Sequence, residues 1–505
     1  VSLFAQLLKD FENALNQRIK MLKPHKMKKL LLGMFIAFTL ILTSCGGDDN
    51  PPVIEPLATC NDGIMNQGET EIDCGGPNCQ SCTTEVATCN DGIRNGDETD
   101  VDFGGSCAEN IDVSGEIAED TTWEAKNIYI LNGKVVVGQG VTLTIEPGTI
   151  IKGKPGSGSL ASALIVQRDS RIEAVGTADN PIIFTAEADN IVVGQTAGTN
   201  LGANDRGLWG GVIVLGRAPA SFKNDVNEVQ IEGIPADDTF GLYGPGAAPD
   251  DADDSGTLQY ISIRHGGALI GEGNEINGLT LGAVGSGTTI DNIEVVANVD
   301  DGIEFFGGTV NATNLFVWAQ GDDALDIDQA YSGTIDNAVV VAGDISDHAF
   351  EVDGPEGAAT GSFTLKNVTI YGSSVAPNGE YADYRSNAMG TTENIYAIGF
   401  QDGKDVELDN NEVAQNFLDG LLTFASWEVV GFDNSIFAEK VGCLQNCDDE
   451  DDSNDVDEDP IILNPTFTER AAGWTSMVDE GAQSVGADVT VFGWTYANAK
   501  ASLGF

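Results

Sequence analysis

The sequence predicts an all-β protein whose main domain is one chain wound into a parallel β-helix. Three observations carry that expectation. Glycine is abundant, at 62 residues, and short apolar runs lie between the glycines. An asparagine precedes an apolar strand again and again at a nearly fixed interval. Two segments, "VDDGIEFFGGTV" from Val299 and "GDDALDIDQAY" from Gly321, repeat one pattern: an aspartate pair, then alternating apolar and polar residues.

Glycine supplies tight turns at no steric cost and weakens long helices, so its abundance favours short strands joined by turns. The runs "VVVGQGVTLTIEPGTIIKGK" (135–154), "ALIVQRDSRIEAVGTADNPIIFTAEA" (163–188) and "GLWGGVIVLGRA" (207–218) read as strands of about four or five residues. The asparagines are Asn292, Asn314, Asn337 and Asn367, at intervals of 22, 23 and 30 residues, the last consistent with an inserted loop. Several short strands in a period of that length mark a parallel β-helix, one period per coil. Stacked asparagines at each bend satisfy backbone groups that would otherwise be buried unpaired.

The aspartate pairs fall into one frame. Asp300 aligns with Asp322, Asp301 with Asp323, Ile303 with Leu325 and Glu304 with Asp326. "SDHAFEVDG" continues it with Asp347, His348, Phe350 and Glu351. Ile303, Leu325 and Phe350 then form an inward column. Glu304, Asp326 and Glu351 form an outward column, about 4.8 Å apart. Stacked like charges repel by about 1 kcal/mol per neighbour in water. Solvation, raised pKa values or bound calcium offset that, giving three readings: a solvated acidic ridge, a calcium site on Asp300, Asp301, Glu304, Asp322, Asp323, Asp326 and Glu351, or a catalytic constellation.

The catalytic reading casts Asp301, Asp322, Asp323, His348 and Arg385 as a glycan-cleaving set, like that of polygalacturonase-type β-helix enzymes. One carboxylic acid would protonate the leaving oxygen while a carboxylate activates water. The glycine–histidine–glycine and arginine–isoleucine–lysine runs of those enzymes are absent. A lyase needs calcium and a basic residue, for which Arg264 in "SIRHGG" is the candidate; a structural ion pair explains Arg264 equally well.

"DDSGTLQYISIRHGGA", "EINGLTLGAVGSGTTIDNIEVV" and "DDGIEFFGGTVNATNL" resemble a family of bacterial surface lipoproteins with a right-handed, pectin-lyase-like parallel β-helix. The resemblance covers most of 111–505. It implies fold and location and no particular chemistry.

The chain's start reads as an address. Lys28 and Lys29 precede an apolar stretch, 30–42, too short to span a membrane comfortably, and then "LTSC" ends at Cys45. This resembles the lipobox of bacterial lipoproteins, in which the cysteine is lipidated and becomes the mature N-terminus; the alternative is an uncleaved anchor helix. Residues 1–26 read as an over-extended start, 27–44 as the signal peptide and 45–58 as a lipidated linker. "GGDDN" after Cys45 resembles the acidic tag that directs some bacteroidete-type lipoproteins to the outer face of the outer membrane.

Residues 59–110 form a duplicated cysteine-rich spacer. Setting Cys45 aside leaves eight of the nine cysteines, an even number suited to an oxidising compartment. Aligned from Cys60 and Cys89, the second copy has Phe103 and Asn110 where the first has Cys74 and Cys82. Cysteines lost together are expected partners, so the pairs are Cys74–Cys82, Cys60–Cys79 and Cys89–Cys107, leaving Cys443–Cys447. Asp62, Asn66, Glu69 and Asp73 match Asp91, Asn95, Glu98 and Asp102. Such oxygens suit calcium, and the pattern resembles short extracellular calcium-loop repeats; an ion-free stapled spacer is the other reading.

The β-helix is expected over 111–470, with an acidic loop at 443–460 and a C-terminal strand and cap at 471–505. With 24 basic and 79 acidic residues the net charge is −55, which sets nucleic acid aside as a partner. Three histidines, His25, His265 and His348, are too few for a histidine-rich zinc site. The expected function is a calcium-stabilised, non-enzymatic binding or adhesion scaffold on the outer membrane. Its ligand would be a glycan, a surface protein or an outer-membrane receptor. The alternative is a polysaccharide lyase or glycoside hydrolase.

Overall fold

Short apolar runs punctuated by asparagine fold here as bent arms of a coil. The computed structural model describes residues 89, 92–96, 98, 101, 104–235, 238–269, 275–445, 456–457, 459–501, 503 and 505. The signal segment, Cys45, the first cysteine repeat (Cys60, Cys74, Cys79, Cys82, Asp62, Asn66, Glu69, Asp73), Asp91, Asp102 and Cys447 lie outside the described residues. Cys89 and Cys107 are joined, with Cα atoms 5.2 Å apart.

One coil shows the plan. Thr289–Val296 is a single strand bent at Asn292, where φ is 55°. Its two arms are 289–291 and 293–296, and Ile303–Phe306 is the third arm. The next coil repeats this with Asn311–Trp318, bent at Asn314, and Leu325–Asp328. Stacked arms pair in parallel and make three faces: A (289–291 and its equivalents), B (293–296) and C (303–306). In all, 24 strands join in one sheet. Strands of four or five residues were expected. Many run to eight, nine or ten because the bend does not break the hydrogen-bonded ladder.

Asparagine is the residue best suited to that bend. A positive φ is costly for most residues, and asparagine tolerates it. Asn292, Asn314, Asn337, Asn367 and Asn394 all have φ between 55° and 67°. Their amides also bond along the stack: Asn337 donates to Asn314 at 2.7 Å and Asn394 to Asn367 at 3.1 Å. Asn314→Ala should cost roughly 1–3 kcal/mol, from a strained alanine and two lost hydrogen bonds. Asn314→Gly keeps the bend and should recover the strain part alone. Urea titration of both variants checks this; equal losses would remove the strain argument.

Inside the coil the inward columns are apolar. Ile303, Leu325, Phe350, Ala382, Val406 and Phe437 lie in register on face C, and all are fully buried. On face B, Ile293, Leu315, Ala338, Val368, Ile395 and Trp427 do the same.

The outer sides differ. On face B, Ile128, Ile130, Ile150 and Ile183 pack against Ile191 and Val193 of the loop that follows 182–186. On face C, Val136, Ala163, Ile165, Ile213, Leu215 and Phe306 are covered by an insertion within 216–255, through Phe222, Ile231, Ile234 and Tyr243. Beyond Phe306 that apolar cover ends and the outer side of face C turns acidic.

The C-terminal segment departs from expectation. Thr475–Val478 is a last strand, paired with 427–430. Residues 484–505 do not cap the open end. They run back along face B, where Phe492 meets Phe316 at 5.5 Å. The physical reason is the apolar outer strip of face B, Phe316, Val339, Trp318, Val341 and Tyr371, which needs burying. Helices Asn411–Asp419 and Phe467–Ala471 close the last coils instead, with Phe417, Phe424, Phe437, Phe467 and Trp474 in one aromatic cluster.

Candidate functional site

In a strand, alternate side chains point to opposite sides. On face C that rule sends Ile303, Leu325 and Phe350 inward and Glu304, Asp326 and Glu351 outward, and the strand register places each set in line. The outward column continues through Asp383 and Glu407, one carboxylate per coil over five coils. A second outward column runs alongside. Asp353, Arg385 and Asp409 extend the strands that carry it, their amides donating to Ile327, Val352 and Tyr384 at 2.7, 3.0 and 3.0 Å. On the other flank lie the turn residues Asp300, Asp301, Asp322, Asp323 and Asp347, with His348 opening the strand His348–Val352.

This is not a solvated ridge. Glu304, Asp326, Asp383, Glu407, Asp301 and Asp323 are buried, Asp326 being 8 % exposed. Neighbouring coils and the 275–278 turn cover them: the Asn277 amide donates to Glu304. Burial is the largest cause that holds Asp301, Glu304, Asp326, Asp328 and Asp383 well above the usual carboxylate range, with neighbouring acids adding to it. At the more open edge, burial and then Asp322 push Asp300 up to about 7, and burial and then Asp323 push Asp322 up to about 6.

The cations present are already engaged. Arg385 pairs with Glu351, with Asp353 at 2.8 Å and with Asp383 at 4.0 Å. His348 Nδ1 lies 3.0 Å from Asp323 and 3.7 Å from Asp347. Burial alone would lower its pKa, but Asp323 and then Asp347 outweigh that and push it up to about 10. Lys440 pairs with Glu407, and Lys404 with Glu380 at 3.1 Å. Asp301 and Asp323 also serve the backbone: Asp301 accepts the Asp323 amide at 3.0 Å, and Asp323 accepts the His348 amide at 2.7 Å.

Several acid groups are close enough to share one ion. Asp301, Glu304 and Asp326 each bring an oxygen within 4.8 Å of the others. So do Asp300, Asp301 and Asp322, and so do Asp326, Glu351 and Asp353. Asp326 Oδ1 and Asn277 Oδ1 are buried with no hydrogen-bond partner among the described residues. Hard oxygens at this density suit calcium, which takes six to eight. They suit a hydrolase less, since its two carboxyl groups stand about 5–5.5 Å apart or, with room for water, about 6.5–9.5 Å.

Of the candidate catalytic set, Asp301, Asp322, Asp323, His348 and Arg385 sit on the acidic side of face C. Arg264 does not. It lies on face B, 1 % exposed, bonded to Ser262 Oγ at 2.7 Å and the Thr196 carbonyl at 2.9 Å, with the Tyr496 ring 4.2 Å away. A guanidinium sealed beneath a tyrosine on another face cannot take a proton from a sugar held at face C, which corrects its assignment as a lyase base. In the spacer, Glu98 accepts the Asn95 amide at 2.8 Å and so closes its own turn.

The sequence reading missed Asp328, Asp353, Asp383, Glu407 and Asp409, and also Glu232, Glu275 and Asn277 near Asp300 and Glu304. The apolar–acid–apolar triplets "ADY" at 382–384 and "VEL" at 406–408 repeat "FEV" at 350–352 and were the available signal.

A family model described as a pectate-lyase like beta helix domain matches residues 115–475. No curated protein matches. Among solved structures, the chain is similar to the enzymatically active domain of tailspike protein 2 of bacteriophage CBA120, at 12 % identity and a TM-score of 0.19, covering 62 % of this chain. The aligned part spans 37 % of that chain, and a likeness so slight carries no argument. The family match extends over well more than half of the sequence and agrees with the parallel coils, so the chain belongs to the pectate-lyase-like β-helix family.

Proposed function

We propose that this protein is a calcium-loaded β-helical binding scaffold, tethered to the outer membrane through lipid on Cys45, whose ligand is a surface glycan met at the acidic side of face C. The observation that carries the reading is the buried trio Asp301, Glu304 and Asp326, with its unpartnered Asp326 oxygen. Three carboxylates this close need protons or a cation, and a rigid coil holds them in place at neutral pH without rearranging. The anchor reading rests on the sequence "LTSC". A surface protein or outer-membrane receptor is the other ligand class compatible with such a scaffold.

Glycan cleavage is the second reading. Asp300 and Asp322, with pKa values of about 7 and 6 at the open edge near His348, favour it, because acid–base catalysts work best near the ambient pH. Against it stand the ion-paired Arg385 and His348 and the remote Arg264. A panel of soluble glycans, incubated with and without calcium, separates the two. The scaffold reading expects calcium-dependent retention with no new reducing or unsaturated ends. Products that appear with calcium and vanish in Asp322→Asn would replace it with the enzyme reading.

A further inference from the structure

The last residues of the chain follow a path that the β-helix alone does not require. Glu294, Phe316, Val339, Thr369, Tyr396 and Glu428 form one outward column of face B, in register from coil to coil. The C-terminal arm, residues 484–505, descends that column. Ser484 donates its amide and hydroxyl to Glu428, both at 2.6 Å. The Ala487 amide reaches Thr369 at 2.9 Å, and the Asp488 amide reaches the ladder residue Asn337 at 2.6 Å. Phe492 then covers Phe316. The amides of Tyr496 and Ala497 donate to the fully buried Glu294 at 3.1 and 2.7 Å. Beyond that column, the Tyr496 hydroxyl donates to the Leu201 carbonyl at 2.8 Å, and Lys500 to the Gly198 carbonyl at 2.7 Å. Arg264 and Lys500 approach the Tyr496 ring at 4.2 and 5.2 Å.

We propose that the arm is a clasp that makes the β-helix open as one unit. In a coil protein each repeat touches its neighbours alone, so stability is a sum of nearest-neighbour terms and ends can fray independently. The arm adds what that arithmetic lacks: one segment bonded to coils far apart in the stack. Opening any coil between Glu428 and Arg264 then strains or frees the arm, and freeing the arm bares Phe316, Trp318, Val339, Val341 and Tyr371 together. The exposed stretch 479–483 is its hinge. The arm carries just Asp488 and Lys500 as charged residues, so its hold on a chain of net charge −55 comes from apolar burial and fixed hydrogen bonds, not from salt-sensitive attraction.

Hydrogen exchange on the full-length chain, read across a denaturant series, tests the clasp. In the parent protein, amides of the arm and of face B strands 315–318, 338–341 and 368–371 should open at one common denaturant concentration. In Tyr496→Ala the arm should exchange on the order of tenfold to a hundredfold faster, from one lost hydrogen bond and the lost ring contacts. The face B strands should then open in separate steps. Lys500→Ala removes one hydrogen bond and should shift the same amides less, a check should Tyr496→Ala fold poorly. The proposal is overturned if the parent arm exchanges as fast as 479–483. It is overturned equally if arm release leaves the common opening of the strands unchanged.

Discussion

Stripped of divalent cations at pH 8, the protein should melt well below its melting temperature in excess calcium, and the gap should narrow towards pH 5. The acids of face C set both effects. Asp300, Asp322 and Asp405, the last standing just before the strand Val406–Leu408 and beside Glu407, have pKa values pushed up to about 7, 6 and 9, each with burial as the first cause, from a reference of 3.8. A carboxyl whose folded pKa exceeds its unfolded one stabilises the fold fully below the unfolded value, and that contribution is lost as pH rises through the folded value. Cation-free stability should therefore fall between about pH 4 and pH 9, by at most about 1.4 kcal/mol per pH unit for Asp300 and Asp405 inside their windows and by less for the exposed, solvent-screened Asp322. Calcium takes the place of the missing protons, adding about 2.7 kcal/mol at a hundredfold excess over Kd. Asp326→Asn should raise the cation-free melting temperature at pH 8, by relieving repulsion, and shrink the calcium gap. Calorimetry at the two pH values, with calcium or chelator, measures all of this. A calcium gap of equal size at pH 5 and pH 8 would sink the idea.

Arg385→Met should cost about 3–5 kcal/mol at pH 8, the usual penalty for removing one partner of a buried ion pair. Glu351, Asp353 and Asp383 all face that one guanidinium, whose side chain is 20 % exposed. Without it the acids take up protons or a cation, so the loss should be much smaller at pH 5 or in high calcium. Arg385→Met combined with Glu351→Gln should recover part of the loss. Urea unfolding with an unchanged m value reads the difference. A loss under about 1 kcal/mol at pH 8 would mean that the pairs are worth no more than surface ones.

What the sequence revealed and what it hid divide on physical lines. The inward column Ile303–Leu325–Phe350 and the outward Glu304–Asp326–Glu351 were legible because strand alternation and coil repeat are both local periodicities. Asp383 escaped because an inserted loop stretches the spacing to 32 residues after Glu351, and Glu407, 24 residues further on, lies beyond that break in the frame. The burial of the acids was not legible, since it depends on how closely neighbouring coils stack and, at Glu304, on the Asn277 turn. The face that carries Arg264, the candidate lyase base, was not legible for a specific reason. Its strand, Gly256–Arg264, bends at Tyr260, with φ 50°, so a tyrosine stands in the slot where later coils carry asparagine. The path of the C-terminal arm was hidden because an apolar tail signals that something must be covered, not which surface.

The five-rung column Glu304, Asp326, Glu351, Asp383, Glu407 has a consequence at longer range. Its charges rise by about 4.8 Å per coil. In water, two unit charges repel by the thermal energy RT at about 7 Å, so ionised rungs stand closer than that distance. Buried rungs feel that repulsion more strongly still, so protons, the Arg385 and Lys440 cations and any bound ion are shared out along the column as a linked set, not among five separate groups. A cation taken up at one rung therefore eases ionisation of its neighbours, so proton release and cation uptake pass from coil to coil.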